Sequence, residues 1–104
     1  MSTHALMAAA AGRSIDADSD AWVRQLSSTG HEREDAIERL HALLLRAARL
    51  ELGRRQAAAA PPGDFDDLAV QAADDALIAI LRKLHTYRGD SRFTTWAYKS
   101  ALSQ

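Results

Sequence analysis

Apolar residues recur along this chain at intervals of three and four, the spacing that lines one face of an α-helix. Trp22, Val23 and Leu26 predict a short first helix through Ser28, capped by Asp18 or Ser19 and stopped by Gly30. Ile37, Leu40, Leu44, Ala47 or Ala48, and Leu50 or Glu51 predict a long second helix from near His31 to about Ala58. Its first turns carry Glu32, Glu34 and Asp35 and its end carries Arg54 and Arg55, signs that suit the helix dipole. Pro61-Pro62-Gly63 breaks the pattern. A third helix follows from Asp64 or Phe65 to near His85. Its inner face is Leu68 or Ala69, Ala73, Ala76, Leu77, Ile80 and Leu84, and its outer face is Asp67, Gln71, Asp74, Ile78 and Arg82. After a loop from Thr86 to Ser91, hinged at Gly89, a fourth helix starts near Ser91, a good N-cap residue. Phe93, Trp96 or Ala97, and Ser100 or Ala101 form its inner face; Arg92, Thr95, Lys99 and Ser103 form the opposite one. Phe93 and Trp96 read as core rather than as stacking platforms, and Tyr98 lies between the faces.

No segment alternates as a strand does, and nothing repeats. The expected fold is therefore all-α, a small bundle of about four helices. One domain spans residues 18–104, preceded by a mobile, alanine-rich tail over 1–17 without periodicity. A chain of 104 residues suffices for one modest core. The final residues Ser103-Gln104 carry no helix-stop signal, which reads as the end of a fragment. With no cysteine, neither a disulfide framework nor a thiolate metal site can form. No apolar run approaches the roughly 20 residues a membrane span needs, and the run from Ala5 to Ala11 lacks a basic leader. A cytoplasmic protein is expected. His4, His31, His41 and His85 are scattered rather than at ligand spacing, and His41 reads as a solvated residue on the polar side of its helix. Neither a phosphate-binding glycine loop nor a nucleophile motif occurs. The expectation is a non-enzyme without cofactor, metal or small-molecule substrate.

Charge changes the picture. The net charge is only −1, but residues 82–104 carry five basic groups against Asp90, a balance of +4, leaving −5 for residues 1–81. Two surfaces of opposite character suggest two different partners. The acidic groups of the third helix sharpen this. Asp64, Asp66 and Asp67 complement a helix N-terminus, whereas Asp74 and Asp75 lie too deep in the helix for that role.

The densest signal is Tyr87-Arg88-Gly89-Asp90-Ser91-Arg92-Phe93-Thr94-Thr95-Trp96-Ala97-Tyr98-Lys99-Ser100-Ala101. It resembles region 2 of bacterial extracytoplasmic-function (ECF) RNA polymerase sigma factors, whose motif reads Phe-Arg-Gly-x-Ser-x-Phe-x-Thr-Trp-x-Tyr-x-x-Ala after an acidic helix. Only the first aromatic differs. The resemblance is dense over about 30 residues and rests on helix pattern alone over residues 18–60. Two departures from the family pattern stand beside it, and one difference from primary sigma factors. Where the family commonly has Asp-Leu-x-Gln-Glu, this chain has Gln71-Ala72-Ala73-Asp74-Asp75. Ser103 stands where the family often has Asn, and Lys99-Ser100 where primary sigma factors carry a tryptophan pair that helps melting.

The resemblance implies a transcription initiation domain with two faces. Arg88, Asp90, Ser91, Arg92, Thr95, Lys99 and Ser103 would meet the non-template strand of the promoter −10 element, captured as unpaired DNA. Gln71, Asp74, Asp75, Ile78 and Arg82 would dock on the β′ clamp helices of core RNA polymerase. It also implies an anti-sigma protein as a further partner, and a separate helix-turn-helix domain (region 4) that is absent from this chain. With Lys99-Ser100 in place of the tryptophan pair, the resemblance implies weaker melting and stricter dependence on promoter sequence. The rival reading is a sigma-like interaction module that binds polymerase or an anti-sigma protein without touching promoter DNA.

Overall fold

The computed structural model describes residues 17–56 and 62–102. Within them four α-helices pack into a small all-α bundle: α1 (Ala17–Leu26), α2 (Gly30–Gln56), α3 (Pro62–Lys83) and α4 (Phe93–Leu102), with a 3-10 turn at Leu84–Thr86 between the last two. No strand occurs among the described residues.

α1 begins one residue before its expected cap, with Asp18 and Asp20 in its first turn and Arg24 in its last. Its buried residues are Ser19, Trp22 and Leu26, one face at helical spacing. The chain leaves it through the turn at Ser27 and Ser28, and the Arg33 Nε–H donates to the Leu26 carbonyl at 3.2 Å, satisfying a group the helix end leaves unpaired. Gly30 does not stop α1 but opens α2, with φ +67°. A Cβ there would meet nothing within 4 Å, so the left-handed backbone angle, not space, favours glycine.

α2 and α3 form an antiparallel hairpin. Ala36, Leu40 and Leu44 are buried on one helix, and Ala69, Ala73, Ala76 and Ile80 on the other. Small residues on α3 let the larger side chains of α2 fill the space between the two axes. Of the alternatives left open by the pattern, Ala69 is the buried residue and Leu68 is exposed. Leu50, expected on the inner face, is 63% exposed, and Glu51 is only half-buried. The inner stripe of α2 therefore ends at Leu44, with Ala47 and Ala48 half-buried beyond it. α3 starts at Pro62, earlier than expected, because proline at a first helical position forfeits no hydrogen bond. The expected helix end at Ala58 and the tail up to residue 16 lie outside the described residues.

α4 closes the bundle. Phe93, Ala97 and Ser100 are buried along it, and Phe93 is wholly buried. Its ring stacks on Trp22 (centroids 5.5 Å, 18°), meets Tyr87 edge-on (5.5 Å, 83°) and tilts against Trp96 (5.6 Å, 43°). These four rings join α1, the loop and α4.

Neither serine caps the helix expected of it. α4 starts at Phe93, and the Trp96 N–H donates to the Arg92 carbonyl at 3.0 Å, which makes Arg92 the N-cap residue. Arginine has no acceptor to offer the first amides. The acceptor comes from α1 instead: the buried Phe93 N–H donates to the Ser19 Oγ at 2.9 Å. Local sequence favoured Ser91 because capping is normally local. Here the burial of Phe93 places its amide against a helix 74 residues away.

Ser19→Ala leaves that buried amide without an acceptor. It is expected to cost about 1–3 kcal/mol, lowering Tm by about 4–8 °C per kcal/mol in a domain of this size. Ser91→Ala is expected to change stability by less than about 0.5 kcal/mol. Urea unfolding of the two variants checks the assignment, and the reverse order would return the cap to Ser91.

Candidate functional site

The segment 87–99 is built on the aromatic cluster. Tyr87 turns its ring inward against Phe93 and Trp96, the latter at 5.3 Å and 55°. Its hydroxyl donates to the Ser91 carbonyl at 2.6 Å, closing the loop on itself. Between these ends Gly89 takes φ +82°, in the region that favours glycine. Burial alternates through the loop: Tyr87, Gly89 and Ser91 are half-buried, while Arg88 and Asp90 are exposed. α4 continues the division. Phe93, Ala97 and Ser100 face in, and Arg92, Thr95 and Lys99 are exposed. Seven residues separate Arg92 from Lys99, about 10 Å of helix. The structure thus brings Arg88, Asp90, Ser91, Arg92, Thr95 and Lys99 onto one loop-and-helix unit; Ser103 lies outside the described residues. Two-ended cationic decoration around a small loop can neutralise phosphates while backbone groups and short side chains meet a base edge. Trp96 is half-buried and Phe93 fully so, and both rings are engaged with their aromatic neighbours.

The second set lies on α3. Gln71, Asp74, Asp75, Ile78 and Arg82 are all exposed, Ile78 by 50%. Ile78 shares this exposure with Leu50 and Leu68, as single apolar residues on a protein surface commonly do. Asp74, however, has a partner within the chain. The His41 Nε2 lies 2.6 Å from its Oδ1, so His41 is half-buried and hydrogen-bonded rather than solvated. The carboxylate that is too deep in α3 to serve the helix dipole is accounted for by this cross-helix bond.

A second bond repeats the arrangement. The Arg49 Nε–H donates to the Asp66 Oδ1 at 3.1 Å, with the Arg49 Nη2 at 3.0 Å from the same oxygen. Going from one bond to the other moves eight residues forward on α2 and eight back on α3. Both bonds therefore lie on one seam of the antiparallel pair, a little over two turns apart. On the α1 side, Arg39 sits 5.0 Å from the Trp22 ring centroid and donates through Nη2 to the Gln25 Oε1. Reading the helices singly overlooked His41, Arg49, Asp66, Arg39 and Ser19. Pairing charged positions across an assumed antiparallel hairpin would have found the first three, because their separations match. No sequence signal pointed to Ser19 as the cap of α4.

An open, largely apolar cleft of about 460 Å³ lies between the far half of α2 and the end of α4, lined by Leu44, Ala47, Ala48, Leu50, Tyr98 and Ala101 among others. Tyr98, undecided from its position, is half-buried at this cleft. Among the described residues no three His, Asp or Glu side chains converge as metal ligands would, and no helix is long and apolar enough to cross a membrane.

Comparison with known proteins adds no identity: no family model, curated protein or solved structure matches the chain.

The His41–Asp74 bond is half-exposed, so its coupling is expected to be small, about 0.2–1 kcal/mol. Unfolding of His41→Ala, Asp74→Ala and the double variant measures it as a double-mutant cycle. A coupling of zero would mean that the pair contributes nothing to stability.

Proposed function

We propose that this chain is a promoter-melting and polymerase-docking domain of the ECF sigma kind. The observation that carries the reading is the division of the 87–101 segment. The motif positions Tyr87, Phe93, Trp96 and Ala101 pack toward the cluster, while Arg88, Asp90, Arg92, Thr95 and Lys99 are exposed together. The outer face sets three cations, Arg88, Arg92 and Lys99, beside a closed glycine loop, the combination that phosphate and base contacts call for. The single strand would run along α4, its phosphates against Arg92 and Lys99, with one base turned into the loop at Arg88–Ser91. Such a loop accepts a base only after it leaves the duplex, so capture and opening are coupled. Unstacking costs a few kcal/mol per step, offset by capture and by phosphate contacts.

The second face supports docking on a helical partner. Ile78 would be the apolar anchor, ringed by Gln71, Asp75 and Arg82, with Asp74 contributing the oxygen that His41 leaves. The partner proposed is the β′ clamp-helix pair of core RNA polymerase, in the cytoplasm. An anti-sigma protein covering the same surfaces would hold the domain inactive. Catalysis belongs to the polymerase in this reading.

Two titrations test it. Strands selected on the chain from a random single-stranded DNA pool should bind, and the matching duplex should bind far more weakly. Arg92→Ala with Lys99→Ala should weaken binding and reduce the slope of log K against log salt by about 1.4, near 0.7 per lost phosphate contact. Against a clamp-helix fragment, Ile78→Ala should weaken binding roughly tenfold. Ile78 is a cleaner probe than Asp74, whose loss also opens the seam to α2. Failure to enrich any strand, with clamp binding retained, would leave the narrower reading of a protein-only interaction module. Failure of both would overturn the sigma assignment.

A further inference from the structure

We propose that the Tyr87 hydroxyl is the positioning group of the 87–92 loop, holding it in the shape that receives an unpaired base. The inference rests on the strand-binding role proposed above and names a residue that role did not include. Both ends of the loop are already anchored. The Tyr87 N–H donates to the Leu84 carbonyl at 3.1 Å, and the Phe93 N–H donates to Ser19. The ring of Tyr87 is held by Phe93 and Trp96, so its hydroxyl has little freedom to wander. From that fixed position it donates to the Ser91 carbonyl at 2.6 Å and ties the first residue of the loop to the fifth.

The consequence lies in what is turned outward. With the Ser91 carbonyl drawn in toward Tyr87 and Gly89 at φ +82°, positions 87, 89 and 91 lie inward and Arg88 and Asp90 project to solvent. A loop kept in this alternation when free does not have to be ordered when a base arrives, so less binding free energy is spent on ordering. Without the hydroxyl, the glycine would let the intervening residues sample other shapes. Phenylalanine, which the resembling motif has at this position, retains the ring contacts and loses only the bond. The hydroxyl is therefore a device of this chain rather than a requirement of the fold.

Tyr87→Phe tests it in the full chain with two readouts. Backbone order parameters in the free protein should fall at Gly89, Asp90 and Ser91, with little change in α2 and α3. Affinity for a strand selected from the random single-stranded pool should fall by about three- to tenfold, with the salt slope unchanged because no phosphate contact is lost. Tyr98→Phe, which removes a hydroxyl at the cleft lined by α2 residues rather than at the loop, should alter neither. Wild-type strand binding that Tyr87→Phe leaves intact would overturn the positioning role alone. Unchanged order parameters in the loop would overturn it too, whatever the affinity did. No strand binding by the wild type would overturn the functional reading, and this inference with it.

Discussion

The burial of Phe93 is the constraint on which the rest of the molecule depends. Its ring has no exposure and is shared by Trp22 of α1, Tyr87 of the loop and Trp96 of α4. Burying the ring also buries its amide at the start of a helix, where an unpaired donor is costly. The Ser19 hydroxyl meets that donor, and so the first described helix is tied to the last. Aromatic area supplies most of the attraction, and the hydrogen bond selects one arrangement among those the rings would tolerate. Everything exposed on the loop and on α4 takes its direction from this anchor.

The α2–α3 hairpin supplies the platform. Its inner stripe pairs leucines with alanines, and its flank carries His41–Asp74 and Arg49–Asp66 on one seam. Such half-exposed pairs add little stability. Their value is register: a slip by one turn would break both bonds. The same seam borders the acidic stripe of α3, so intramolecular pairing and outward display draw on one set of carboxylates. Asp74 does both, and this makes Ile78 the more telling residue of that face.

Much of the fold was legible in the periodicity. The four helices, the buried faces built on Leu40, Leu44, Ala73, Ala76, Ile80 and Ala97, and the core placement of Phe93 all follow from spacing by three and four. So does the exposure of Gln71, Ile78, Arg82, Thr95 and Lys99. What was not legible is whatever requires two helices at once. Ser91 was the natural local cap, yet the acceptor is Ser19, because tertiary burial outweighs local preference. His41 has an unremarkable place on its own helix and acquires a partner only when α3 lies beside it. Leu50 fits the stripe of α2, but the bundle does not cover it, and Gly30 signals a boundary whose side only the fold decides. The loop is a mixed case. Gly89 marks the bend, while nothing in a one-dimensional pattern announces that the Tyr87 hydroxyl reaches Ser91.

The non-local cap also bears on whether the motif can be moved. α4 has ten residues, shorter than the length at which an isolated helix becomes stable in water. Its first amide is satisfied from α1, and its aromatic neighbours in the cluster, Trp22 and Tyr87, lie outside it. A peptide copy of residues 87–102, or a graft of that stretch onto another bundle, would carry the letters of the motif without the serine and tryptophan that give them their shape. The folded form of the segment is therefore not portable as a linear stretch; its smallest transplantable form includes α1.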